Sequence, residues 1–259
     1  HPEEFQNVRR IFINATKNMY RILNENGKDG YVFRTDLRLR PDPSVTPVCM
    51  GVDAAERYYA SLGRTWERAA FIKARVCAGD YSAGIKFLKN MEPFVWRKYL
   101  DYAAISDAHD IRLRIRDHFK TKIGDITLPQ HNMKLGRGGI RDIEFFTQTH
   151  QIIFGGRDKG LRSRATITSL RAIAENKWLP KALVKDLIEN YRFHRTIEHR
   201  LQMINDAQTH ELPNSDQGFV RLASLMGTEK DDLQKELVEK LSKTNSAIEG
   251  FFEPQNTDQ

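Results

Sequence analysis

Lys134-Leu135-Gly136-Arg137-Gly138-Gly139-Ile140-Arg141-Asp142-Ile143-Glu144-Phe145-Phe146 is the stretch on which the fold turns. Paired glycines precede residues whose apolar members, Ile140, Ile143, Phe146 and onward, recur at helical spacing. Glycine lets a backbone turn tightly and approach a ligand, and a helix that starts there aims unpaired N–H groups and the positive end of its dipole at any anion. Lys134, Arg137 and Arg141 add full positive charges, which makes the stretch a candidate phosphate site. The same residues also fit an ordinary loop and helix start with solvated charges. A dinucleotide-binding glycine fingerprint is disfavoured, because it must follow a buried strand. Asp125 to Met133 instead contains Pro129, Gln130, His131 and Asn132.

Most of the chain on either side of this stretch reads as helix. Downstream, the spacing predicts helices over Ile140 to Phe154, Thr166 to Lys177, Lys181 to Asn205, Phe219 to Met226 and Asp231 to Phe252, with Pro213-Asn214 as a break and a polar tail from Pro254. Upstream, Gly124 to His131 is a linker, preceded by helices over Asp53 to Leu62, Thr65 to about Cys77, Ser82 to Met91 and Val95 to Lys120. Phe5, Val8, Phe12, Ala15, Met19 and Ile22 give an amphipathic helix over Glu3 to Leu23, ending near Asn26-Gly27.

Between these helices the period changes. From Arg34 to Arg40 polar and apolar residues alternate, which predicts a strand with Phe33, Thr35, Leu37 and Leu39 on one side and Arg34, Asp36, Arg38 and Arg40 on the other. Pro47 to Met50 reads as a short second strand after a proline-rich loop. Two strands do not make a stable sheet, so they pack on the first helix or join strands from elsewhere. The expected fold class is mainly α: a helical bundle domain over 131–259, a helical segment over 53–130, and over 1–52 a partial palm of helix and short strands.

The 259 residues carry 41 Lys and Arg against 34 Asp and Glu, a net charge of +7, which favours an anionic partner. Nucleic acid is the weaker candidate, since no zinc-finger spacing, zipper heptad or RNA-binding aromatic signature accompanies the arginines. No apolar run is long enough for a transmembrane helix and His1-Pro2-Glu3-Glu4 does not open a signal peptide, so a cytoplasmic location and no membrane contact are expected. Cys49 and Cys77, the only cysteines, read as reduced and partly buried. The histidines, His194 and His199 among them, are scattered without a close carboxylate and thiol set and read as structural or surface groups.

Asp36 with Arg38 and Arg40 suits a site holding a metal ion and a polyphosphate, because Mg²⁺ takes oxygen ligands from carboxylates and phosphates while arginine grips phosphate bidentately. A salt-bridged, solvent-facing strand accounts for the same three residues. The order of Tyr31-Val32-Phe33-Arg34-Thr35-Asp36-Leu37-Arg38-Leu39-Arg40-Pro41, Thr65-Trp66-Glu67-Arg68-Ala69-Ala70, Lys73-Ala74-Arg75, the glycine motif, Gly155-Gly156-Arg157, Leu161-Arg162-Ser163-Arg164 and His199 to Pro213 resembles the glutamine synthetase adenylyltransferase family. Members have two related halves, each a polymerase-β-like nucleotidyltransferase domain joined to helices. The resemblance implies that Asp36 is the third metal-binding carboxylate, binding Mg²⁺, and that Arg38, Arg40, Lys134, Gly138, Gly139 and Arg141 contact phosphate or nucleotide (AMP, ADP or ATP). Arg141 has the alternative of an ion pair with Glu144 or Glu67.

The Lys-Leu-Gly-x-Gly-Gly-Ile-Arg form and the Gln208-Thr209-His210-Glu211-Leu212-Pro213 ending resemble the N-terminal, adenylyl-removing half. That half performs phosphorolysis: phosphate attacks the AMP phosphorus on a tyrosine of glutamine synthetase, giving ADP and free tyrosine. The ATP-dependent adenylylating half is the closest rival. A helical docking module for glutamine synthetase or a PII-type signal protein is the alternative of a different class. One departure stands out: the family's Gly-Ser and Asp-x-Asp pair does not occur between His1 and Asp36. The chain therefore reads as starting after two of three metal ligands and as inactive alone, since two-metal chemistry needs several carboxylates.

Overall fold

The computed structural model describes residues 2–28, 30–98, 126–205 and 207–252. They are mainly helical, and the chain divides into two compact units, His1–Trp96 and Arg97–Gln259.

In the first unit, α1 spans Pro2–Asn24, α2 Val52–Ser61, α3 Thr65–Ile72, α4 Tyr81–Asn90 and α5 Glu92–Val95. Its core is aromatic: Tyr59 packs edge-on to Phe71 at 4.8 Å between ring centroids and lies 5.2 Å from Phe94. The apolar stripe read from α1 is present but exposed, with Phe5, Ile11, Phe12 and Ile22 all on the surface. Periodicity identifies which face is apolar and not what covers it. The helix expected to reach Cys77 stops at Ile72. Glu67 at its start accepts from the Arg64 N–H at 2.8 Å, while Asp80 caps α4 by accepting from the Ala83 N–H at 3.0 Å. The turn between them brings the Val76 side chain against Gly84. Cys77 is exposed, contrary to expectation, and Cys49 is half-buried. Of the helix expected over Val95 to Lys120, only Val95 is helical among the described residues, and 99–120 lie outside them, as do the 254–259 tail and Gly124.

Neither expected strand forms among the described residues, where the only β-type pairings are the isolated bridges Gly27↔Gly30 and Asn132↔Glu211. A strand needs a partner for its backbone donors, and here those donors are used locally. Phe33 N–H donates to Leu23 O at 2.8 Å, Thr35 N–H to the Asn24 side chain at 3.2 Å, and Arg38 N–H to the Asp36 carboxylate at 2.8 Å. The alternation survives only as half-buried Thr35 and Leu37 between exposed neighbours.

The second unit contains α6 (Ile140–Phe154), a single 3₁₀ turn (Lys159–Leu161), α7 (Thr166–Glu175), α8 (Lys181–Asn205), α9 (Asp216–Met226) and α10 (Lys230–Phe252). Two apolar clusters fill it. Met133, Ile197, Leu201, Leu222, Leu237 and neighbours form one; Ile143, Phe146, Leu170, Leu187, Ile248 and neighbours form the other. α8 and α10 run through both, so Leu233, Leu237, Leu241 and Ile248, spaced by whole turns, tie the clusters together. Asn190 donates to Thr244 Oγ1 at 3.0 Å between these helices. Ser215 caps α9, and Gly227, at φ +72°, ends it in the left-handed conformation.

Candidate functional site

The Asp36 segment leaves α1 as extended chain. Asp36 is exposed, and Arg38 folds back onto it in a fork, Nε to Oδ1 at 3.0 Å and Nη2 to Oδ2 at 2.7 Å. The Arg38 side-chain hydrogen bonds, then its backbone N–H, hold the Asp36 carboxyl down at about 2, so it is ionised at any physiological pH. Arg40 does not join them. Its guanidinium turns into the following loop and donates to Leu37 O, to Pro43 O at 2.9 Å and to Thr46 O at 3.2 Å. Leu39 lines a pocket of about 290 Å³ with Tyr59, Trp66, Phe71 and Lys73. Among the described residues no group of three His, Cys, Asp or Glu gathers as a metal site. Asp36, with its one carboxylate engaged by Arg38, does not by itself make a Mg²⁺ site.

The glycine motif lies in the second unit, where it is built into the bundle. Gly138 adopts φ +73°, and a Cβ there would lie 2.0 Å from Leu241 O of α10. At Gly139 a Cβ would lie 2.6 Å from Met133 O. Both glycines therefore serve close approach of backbone to backbone. Asp142 accepts from the Gly138 N–H at 2.9 Å, which places an internal carboxylate at the start of α6. Arg137 reaches Glu249 on α10 at 2.9 Å.

Lys134 and Arg141 are brought together, since the Arg141 N–H donates to Lys134 O at 2.8 Å. Arg141 lies 3.6 Å from Glu144, one of its two anticipated partners, and Glu144 also accepts from Tyr191 Oη at 3.0 Å. Sequence reasoning missed what stands beside them. The Met133 N–H donates to His210 O at 2.7 Å and the Leu212 N–H to His131 O at 2.9 Å, which lays 209–212 along the loop before α6. His210 Nδ1 then sits 2.9 Å from Glu198, which also pairs with Arg195. Burial first, then the neighbouring Lys134 ammonium, hold the His210 imidazole below its usual range against the opposing pull of Glu198. Lys134 from the loop and Arg195 from α8 thus lie close enough to His210 to act on its charge, and Arg141 meets Lys134 through the backbone. The sequence signal available for this was the run from His199 to Pro213, whose role no local period shows.

Residues 109–255, more than half of the chain, match the family model described as GlnD PII-uridylyltransferase, and residues 3–90 match the model described as glutamate-ammonia ligase adenylyltransferase. The helical second unit is thereby placed in a class, the domain family which the first of these models describes. Among relatives, the bifunctional glutamine synthetase adenylyltransferase/adenylyl-removing enzyme of Rhizobium meliloti is 55% identical over 84% of this chain and 22% of its own length. Proteins of the same description from Bartonella quintana and Bradyrhizobium diazoefficiens are 48% and 46% identical, each over 94% of this chain and 25% and 24% of their own lengths. The chain belongs to this bifunctional glutamine synthetase adenylyltransferase/adenylyl-removing enzyme family. It spans about a quarter or less of the length of these relatives.

Proposed function

We propose that this chain is part of a nucleotidyltransferase that removes AMP from adenylylated glutamine synthetase, with phosphate as the attacking group and ADP and tyrosine as products. The observation that carries the reading is the Lys134-to-Arg141 loop, in the form that resembles the removing half, with Lys134 and Arg141 joined by a backbone hydrogen bond. In this reading Lys134 and Arg141 contact phosphate, and Gly138 and Gly139 let their loop lie on α10. Asp36 is one ligand of Mg²⁺ within a polymerase-β-like palm, Arg38 exchanges its carboxylate for nucleotide phosphate, and Arg40 shapes the loop beside them. The three-part division at residues 52 and 130 and a cytoplasmic location belong to the same proposal; among the described residues no helix is long and apolar enough to cross a membrane.

The test is Asp36→Asn in a full-length relative, with phosphate-dependent ADP release and ATP-dependent modification of glutamine synthetase measured side by side. Loss of ADP release alone supports the removing half. Loss of modification alone transfers the chain to the adenylylating half, and no loss rejects Asp36 as a ligand. The 259-residue chain by itself is expected to release no ADP, having one of the carboxylates such chemistry needs. The exposed apolar stripe of α1 favours a second reading, docking of glutamine synthetase or a PII-type signal protein. Failure of both to be retained by the immobilised chain would reject it.

A further inference from the structure

Glu198 lies in the middle of α8 and is 2% exposed. A carboxylate so far from water has to be compensated, and two groups do this: Arg195, one turn earlier, and His210, whose Nδ1 is 2.9 Å away. Nδ1 does not meet the carboxylate in hydrogen-bond geometry, but at 2.9 Å two lone pairs would repel, so the carboxylate favours the tautomer with Nδ1–H and leaves Nε2 as the second nitrogen. The imidazole is not itself sealed in, its side chain being 19% exposed. Lys134 arrives from the loop before α6, next to the residue whose N–H holds His210 O, and no ion-pair partner for its ammonium is found among the described residues.

We propose that Lys134, His210 and Arg195 form a binding site for a phosphate-class oxyanion, with Glu198 as the residue that positions His210. An ammonium, a guanidinium edge and an imidazole offer a tetrahedral oxyanion donors of three geometries, and such charge-assisted bonds are the strong ones. The groups facing His210 are Glu198 and Arg195 from α8 and Lys134 from the loop. An arriving dianion offsets the repulsion from Lys134 and Arg195, so Nε2 takes up one proton from the buffer as the anion binds. The ligand is free orthophosphate or the phosphate of a nucleotide monoester, which share this chemistry. The site deepens the phosphate contact given to Lys134 above and rests on that reading for its ligand class; because binding is read on the 259-residue chain without turnover, its failure is distinguishable from failure of the proposed reaction.

Isothermal titration of that chain with orthophosphate, AMP and sulfate, in two buffers of different ionisation heat at pH 7, tests it. Saturable binding of orthophosphate or AMP near the millimolar range is expected, with about one proton taken up per anion. The tighter of the two names the source. Lys134→Gln and His210→Gln should each weaken binding about tenfold or more and His210→Gln should abolish the proton uptake, while exposed Lys185→Gln changes neither. Far-UV circular dichroism confirms that each variant is folded, and Lys134→Gln, on a partly exposed side chain, carries the test if His210→Gln unfolds. No saturable heat with orthophosphate or AMP up to about 20 mM overturns the proposal. So does wild-type affinity in the folded Lys134→Gln variant, or sulfate binding equal to phosphate without proton uptake.

Discussion

Replacing Gly138 by alanine separates two explanations of the glycine pair. If the glycines cradle a ligand, an added methyl group harms binding and leaves the fold intact. If they exist because the loop lies on α10, the methyl group harms the fold. The positive φ of +73° costs a non-glycine residue about 1 kcal/mol or more. The Cβ would also stand 2.0 Å from Leu241 O, less than van der Waals contact by more than an ångström, and the obstacle is backbone in the middle of a 23-residue helix. Relief requires moving α10 or the start of α6, and overpacking of this kind costs about 1–3 kcal/mol. The sum, about 3 kcal/mol, is a large part of the 5–15 kcal/mol that holds a typical domain together. For a unit of this size it lowers the melting temperature by roughly 6–12 °C. Gly30→Ala is the control: it shares a positive φ of +87°, but its Cβ would meet nothing within 4 Å. It should lose only the conformational part, roughly 1 kcal/mol. Thermal and urea unfolding followed by circular dichroism, with amide exchange along α10, measures both. A Gly138→Ala chain within about 0.5 kcal/mol of the parent would refute the packing explanation.

Acid should weaken the second unit before its carboxylates titrate. Burial holds His131 and His150 at about 4 and, with the charges of His131 and Lys240, holds His194 at about 3, so all three are neutral when folded. The unfolded chain protonates them below about 6.5, so their stability is present above that pH and is lost as pH falls towards about 4, at about 1.4 kcal/mol per pH unit for each group. Urea midpoints that stay flat between pH 7.5 and 5.5 would contradict this. Leu237→Ala, which empties a fully buried position shared by α8, α9 and α10, should cost about 2–5 kcal/mol in the same assay. Arg40→Lys should speed amide exchange across residues 37–46 while leaving α2 unchanged, because one ammonium does not reproduce bonds to three separated carbonyls; equal exchange rates would show that the loop does not depend on the guanidinium.

Where one helix carries its own signals, the sequence was a sufficient guide. The bounds of α6 and α8 follow from apolar spacing, with Gly155-Gly156 as the stop after α6, and both helices run over the residues anticipated. Elements that depend on a partner were misread for physical reasons. The alternation from Phe33 to Arg40 states that a strand could face two environments, but a strand exists only when another chain segment takes its N–H and C=O groups, and here the end of α1 and the Asp36 carboxylate take them. The site divides along the same line. Lys134 and Arg141 are visible in the sequence because they share one loop, whereas His210, like the other histidines, reads as a structural or surface group for want of a close carboxylate and thiol set. Its partner Glu198 is in fact on the preceding helix, and they meet because His131 and Met133, from far upstream, fix the course of residues 209–212. The same contact gives Lys134 its place beside His210. The glycine motif and the segment ending in Pro213 are therefore one structural unit, and a change at Met133 that shifts the loop should disturb His210 without touching any charged group.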